Sequence, residues 1–179
     1  MDQLEEKTIN TKHIYKGAII DVTVDDVQLP NGEQSKRELV KHPGAVAVIA
    51  LTDDNKLLMV KQYRKPMESS SIEIPAGKLE EGEEPILTAR RELEEETGYT
   101  TDQLHYITSF YSSPGFSDEY LHLYWTDQVT KLEIRPDLDE DEFVELYEAD
   151  IAQIDEWIKK KEIQDLKTLF AVQYLKLNK

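Results

Sequence analysis

The segment 77–99, GKLEEGEEPILTARRELEEETGY, constrains the chain more than any other stretch. Pro85 suits the first turn of a helix, acidic residues crowd that end, and Gly98 sits where a left-handed C-terminal cap belongs. These signals predict a helix over 85–97. On its projection Glu92, Glu95 and Glu96 fall within about 100° of one another. Ile86, Ala89 and Leu93 form an apolar stripe beside them, which places the carboxylates at the edge of a core. Like charges three and four residues apart cost a few tenths of a kcal/mol per pair on an exposed helix, and more when desolvated. Such a helix needs a counter-charge. Mg²⁺ fits, because it prefers hard oxygen ligands, keeps several waters and bridges carboxylates to substrate phosphates. The Pro75-Ala76-Gly77 turn can offer a backbone carbonyl, and Arg91 can orient a neighbouring glutamate. Together these parts describe a metal-assisted site for phosphoryl chemistry.

Charge points the same way. The 179 residues carry 21 Lys and Arg against 37 Asp and Glu, a formal charge of −16. A surface of that sign repels phosphate backbones and anionic lipid, so neither a nucleic acid nor a membrane is the expected partner. An anionic substrate would have to recruit a cation. The chain has no cysteine, which removes thiol nucleophiles, disulfides and cysteine-bound metals. The longest apolar run, Ala45 to Leu51, is far below a membrane span. The start, MDQLEEK, lacks the basic and apolar stretches of a signal peptide, so a cytoplasmic location is expected.

Along the chain, residues 14–28 alternate as a strand, Pro30-Asn31-Gly32 breaks the run, and Arg37 to Val40 resumes it as a hairpin. His42-Pro43-Gly44 is the best boundary, dividing residues 1–42, a small N-terminal antiparallel β subdomain, from a main domain over 43–179. Ala45 to Leu51 reads as a buried strand, Asp53-Asp54-Asn55 as a turn, and Leu57 to Val60 as the partner strand. A short strand at 72–75 ends in the Ala76-Gly77 turn. Further strands are expected near 104–111, 119–126 and 143–147. Asp150 caps a helix carrying Ile151, Ile154 and Ile158. A last helix starts near Asp165, with Leu166, Leu169, Phe170, Tyr174 and Leu177 at helical spacing. The class is α/β, a mixed sheet sandwiched between helices.

Gly77, Glu83, Arg91, Glu92, Leu93, Glu95, Glu96, Gly98 and Tyr99 match the Nudix box, G-x5-E-x7-R-E-U-x-E-E-x-G-U, at every position. Tyr99 fills a slot more often held by an aliphatic residue. The chain thus resembles the Nudix hydrolases, which implies an α/β/α sandwich and hydrolysis of a nucleoside diphosphate linked to a moiety X. Pro114, 16 positions after Gly98, resembles the proline-glycine loop of the ADP-ribose pyrophosphatase branch. The segments at 37–40, 62–66 and 141–145 resemble that branch too.

The resemblance implies a homodimer that exchanges N-terminal β segments and hydrolyses ADP-ribose, or a related ADP-sugar, to AMP and ribose 5-phosphate. It implies Mg²⁺, with Mn²⁺ as the alternate, held by the Ala76 carbonyl, Glu92 and Glu96, with Glu95 in support. Arg64 would contact the diphosphate and Arg37 the nucleotide. Pro114, Gly115 and Glu119 would shape the terminal-ribose end. The general base would come from the acidic loop 137–142: Glu142 is the first choice and Glu140 the alternate. Rival readings stay open for single residues, namely a surface ion pair for Arg64 and pairing across the hairpin for Arg37. The four histidines show no ligand spacing and read as structural. Tyr15 or Phe116 could stack on adenine.

Two readings compete with this one at the level of function. One is a Nudix pyrophosphatase for another substrate, such as a nucleoside triphosphate, a dinucleoside polyphosphate or NADH. The other is a module that senses a nucleotide without hydrolysing it. The intact Glu92, Glu95 and Glu96 argue for catalysis.

Overall fold

A computed structural model describes residues 2–138 and 142–178. They fall into two compact units: the residues up to Gly44 with Phe110–Leu121, and Ala45–Ser109 with the residues from His122 onward.

In the first unit, β1 (Lys7–Lys16), β2 (Asp21–Gln28) and β3 (Gln34–Lys41) form an antiparallel meander in which β1 pairs β2 and β2 pairs β3. The run expected over 14–28 is therefore two strands, divided by a turn in which Gly17 N–H donates to Ile20 O at 2.9 Å. Every residue of β1 is exposed, so the strand has no inward face and no alternation to betray it. Phe110–Leu121 completes the unit. Val40 N–H donates to Phe116 O at 2.8 Å, and Asp118 accepts from Lys41 Nζ and His42 N, both at 2.9 Å.

The second unit is α/β, with three α-helices among the described residues and a mixed set of strands. In chain order these are β4 (Ala45–Ala50), β5 (Leu57–Arg64), β6 (Ser69–Glu73), β7 (Ala76–Lys78), α1 (Pro85–Thr97), β8 (Tyr99–Thr100), β9 (His105–Tyr111), β10 (Tyr120–Thr126), β11 (Thr130–Lys131), β12 (Val144–Ala149), α2 (Ile151–Lys159) and α3 (Leu166–Asn178). The sheet orders are β7-β4-β10-β9, β12-β5-β6 and β11-β8, with β9 and β10 contributing here their residues up to Ser109 and from His122. The core clusters Val46, Val48, Ala50, Leu58, Ala89, Leu93, Tyr99 and Tyr124.

Two sequence expectations about strand pairing are corrected. β4 and β5 are not ladder partners; beyond one bridge, Leu51 to Leu57, they diverge into different sheets. All of β4 and the first four residues of β5 are buried, so neither segment has the in–out alternation that would specify a partner. Ala76-Gly77 is not a turn. The chain leaves one sheet at Ile74-Pro75, and Ala76 and Gly77 then pair with Ala47 and Val46 in the other.

The helices follow their caps. α1 runs over Pro85–Thr97 with Gly98 at φ 72°, Asp150 Oδ1 accepts from Gln153 N at 2.8 Å, and Asp165 Oδ2 accepts from Thr168 N at 2.9 Å. Their faces follow less closely. Ile86 is 41% exposed, and the buried side of α1 is Thr88, Ala89, Glu92, Leu93, Glu96 and Thr97. In α3 the buried residues are Thr168, Ala171, Val172 and Leu175, whereas Leu166, Phe170 and Leu177 are exposed. Mostly smaller side chains face inward there, Leu175 excepted, so the stripe of large apolar residues misleads.

Candidate active site

α1 lays its carboxylates against β7. Gly77 is the contact point: a Cβ built on it would lie 1.9 Å from Glu92 Cδ and 2.1 and 2.3 Å from the two carboxylate oxygens. Only glycine leaves room for Glu92. Beside it, Ala76 N–H donates to Glu96 Oε2 at 2.9 Å. Glu92 is 6% exposed and Glu96 2%, so these side chains lie within the core edge and not on its rim.

Arg91 organises the neighbouring glutamates. Its Nη1 donates to Glu92 Oε1 and Glu95 Oε2, both at 2.9 Å, and its Nη2 to Glu83 Oε2 at 3.3 Å. Glu83 also accepts from Thr88 Oγ1 at 2.8 Å. Burial opposes the Arg91 charge, but Glu83, Glu92 and Glu95 outweigh it and hold the guanidinium more basic than usual. At the C-terminus of α1, Arg135 Nε donates to Glu95 O at 2.6 Å and Nη2 to Glu96 O at 2.8 Å, satisfying two carbonyls that the helix leaves open.

This cluster is short of positive charge. Burial above all pushes Glu92 up to about 7; Glu95 and Glu142 add to the rise and Arg91 opposes it. Burial likewise pushes Glu96 up to about 8, with Glu92 and Glu142 raising it further and the Ala76 N–H opposing. The donor set fits a divalent cation: two buried carboxylates crowd one place, and a third charge, from Glu142, bears on both. Among the described residues no three acidic or histidine side chains are already gathered into a cage. A hard cation that keeps several waters needs no such cage.

Arg64, at the end of β5, is fixed by Glu73 of β6. Nε donates to Oε1 at 3.0 Å and Nη2 to Oε2 at 2.6 Å. Burial works against the Glu73 charge, yet Arg64 and Lys167 hold the carboxyl down at about 2.

Arg37, Pro114, Gly115 and Glu119, also singled out in the sequence, lie in the first unit. Arg37 of β3 is engaged by Glu6, with Nε to Oε2 at 2.8 Å and Nη2 to Oε1 at 2.5 Å, so its partner lies before β1 and not across the β2–β3 hairpin. Pro114 shares a cavity with Leu39, Val40, Lys41, Tyr111, Phe116, Ser117 and Asp118. Gly115 lies in the same turn as Pro114. Glu119 accepts from the Ser112 hydroxyl and lies 3.8 Å from His42 Nε2. Glu140 lies outside the described residues.

Nothing in the sequence singles out Glu73, Arg135 or Lys167. Each acts through a partner distant in sequence or on another strand, and no local spacing marks it. Glu83 was within reach, since it belongs to the box itself.

Comparison with known proteins gives a consistent picture. A NUDIX domain model matches residues 40–172, and a nucleoside diphosphate sugar hydrolase N-terminal domain model matches residues 6–40. The chain is 56% identical over 177 residues to a protein of Bacillus subtilis (strain 168) named ADP-ribose pyrophosphatase, covering 99% of this chain and 96% of the relative. It is 58% identical over 173 residues to a protein of Bacillus methanolicus named methanol dehydrogenase activator, covering 97% and 94%. A crystal structure titled as an ADP compounds hydrolase superposes with a TM-score of 0.83 at 17% identity, covering 98% of this chain and 95% of the other, which shows a shared fold.

Proposed function

The chain belongs to the Nudix family, and from that premise we propose that it hydrolyses the pyrophosphate bond of ADP-ribose, or a related ADP-sugar, to AMP and ribose 5-phosphate. The observation that carries the chemistry is the buried pair of Glu92, laid against Gly77, and Glu96, held by the Ala76 N–H. The full-length likeness to a relative named ADP-ribose pyrophosphatase carries the substrate.

In this reading Glu92, Glu96 and the Ala76 carbonyl hold Mg²⁺, with Mn²⁺ as an alternate. A cation held by these residues would supply positive charge for an anionic diphosphate and would make a nearby water easier to deprotonate. Arg91 keeps Glu92 and Glu95 in fixed rotamers. Arg64 presents its guanidinium to the diphosphate, where a planar fork suits phosphate oxygens. Glu142 accepts the proton of the attacking water, with Glu140 as the alternate base. A carboxylate within hydrogen-bond reach suffices for that step. Arg37 exchanges Glu6 for the nucleotide, and Pro114, Gly115 and Glu119 receive the terminal ribose. Residues 1–42 serve dimerisation and substrate binding, and the working form is a cytoplasmic homodimer. Among the described residues no helix is long and apolar enough to cross a membrane, which says nothing of β-barrels.

The decisive experiment follows AMP and ribose 5-phosphate released from ADP-ribose with and without Mg²⁺, beside ADP-glucose, NADH, dinucleoside polyphosphates and nucleoside triphosphates. Mg²⁺-dependent release well above the panel is expected. Strong preference for another substrate would overturn the ADP-ribose assignment and keep the chemistry. Nucleotide binding without turnover would favour a sensor.

A second reading rests on the relative named methanol dehydrogenase activator: that this chain also raises the activity of such a dehydrogenase. Methanol oxidation measured with and without added chain tests it, and an unchanged rate refutes it.

A further inference from the structure

The Arg64–Glu73 pair is half of a larger array. Glu73 Oε2 also accepts from Lys167 Nζ at 2.5 Å, and Lys167 Nζ lies 3.1 Å from Asp165 Oδ2. The side chains of Glu73 and Lys167 are only 3% and 11% exposed. Asp165 Oδ2 accepts in addition from Thr168 N at 2.9 Å and Thr168 Oγ1 at 2.6 Å, while that same Oγ1 accepts from Ile74 N at 3.0 Å. The first turn of α3 therefore grips two successive residues, Glu73 and Ile74, just before Ala76 donates to Glu96.

The charges in the array balance: Arg64 and Lys167 against Glu73 and Asp165. A buried ionic array adds little stability over apolar side chains of equal volume, because desolvation offsets the attraction. What it supplies here is a fixed guanidinium and a set local charge. Without Lys167, Glu73 would pair with Arg64 alone, and the array would turn net negative. Arg64 and Lys167 both lie within electrostatic reach of Glu96, so the change would fall next to carboxylates that already repel an anion.

We infer that Lys167 is a positioning residue for substrate binding: it shares Glu73 Oε2 with Arg64, offsetting the Glu73 charge so that Arg64 keeps positive charge to offer a diphosphate. This rests on the reading of Arg64 as the diphosphate contact. Lys167 acts through Glu73, so its effect belongs in binding and not in the chemical step.

The test compares wild type with K167M, K167R and R64A. The readouts are kcat and KM for ADP-ribose, the Kd for ADP by calorimetry, and the melting temperature. K167M is expected to raise KM and Kd about tenfold, equivalent to ~1.4 kcal/mol, with kcat held within about threefold. K167R is expected to restore both constants to within about threefold of wild type. If R64A weakens ADP binding while K167M lowers only the melting temperature, Lys167 is structural and this inference alone falls. If R64A leaves the Kd for ADP unchanged, the diphosphate reading and the inference fall together. Should K167M not fold, K167Q, which keeps a hydrogen-bond donor without the charge, is set against K167R and the same split is read. The calorimetry decides even where ADP-ribose proves not to be the substrate.

Discussion

Glu92 occupies the space that a side chain on Gly77 would need, its carboxyl carbon 1.9 Å from where a Cβ would stand. The box glycine is thus required for close approach between β7 and α1. G77A must displace the Glu92 carboxylate by an ångström or more. Turnover is expected to fall about 100-fold, the usual effect of such a misplacement, with circular dichroism unchanged. Near-normal kcat in G77A would show that Glu92 does not hold its place through this contact.

Burial raises Glu96 to about 8 and Glu92 to about 7, from an ordinary carboxyl value of 4.5. The folded state therefore binds these protons more tightly than the unfolded one. Their contribution to stability is full below about pH 4.5, declines as the pH rises from there, and is gone once the pH has passed through 7 to 8. Without divalent cation, the melting temperature should fall between about pH 4.5 and 8, and Mg²⁺ should raise it most at the alkaline end. E96Q should flatten both trends, melt no lower than wild type at pH 8.5 without metal, and lose turnover by orders of magnitude. An active E96Q enzyme would dismiss Glu96 as a metal ligand.

The charge of Glu142 bears on both Glu92 and Glu96, which supports it as the base. E142Q is expected to lower kcat by roughly 10² to 10⁴ and to leave KM and Mg²⁺ affinity close to wild type. The control is E140Q. If E140Q is crippled and E142Q is not, the base sits two residues earlier.

Arg135 ties the segment after β11 to the last carbonyls of α1 through two hydrogen bonds. R135M removes a charged double donor from a helix end and should cost roughly 1–3 kcal/mol in chemical denaturation. A stability equal to wild type would mean that water caps those carbonyls equally well.

Local chemistry made α1 legible: Pro85, Gly98 and the 3.6-residue period fix its ends, and the spacing of Glu92, Glu95 and Glu96 puts them together whatever else the chain does. The β2–β3 hairpin was legible through its turn residues and half-buried alternation. β1 was hidden by being exposed on every residue, and the separation of β4 from β5 by their being buried on both faces.

The sequence by itself determined the reactive helix, its caps, its carboxylate face and the family that carries them, because those signals lie within a few residues of one another. Only the tertiary structure decided that α3 buries Thr168, Ala171, Val172 and Leu175, and that Glu96 is all but sealed from water. It alone joined Glu73 to Lys167, 94 residues away. Burial and ion pairing depend on what another segment lays across a face. The periodicity of the segment beneath carries no record of that cover.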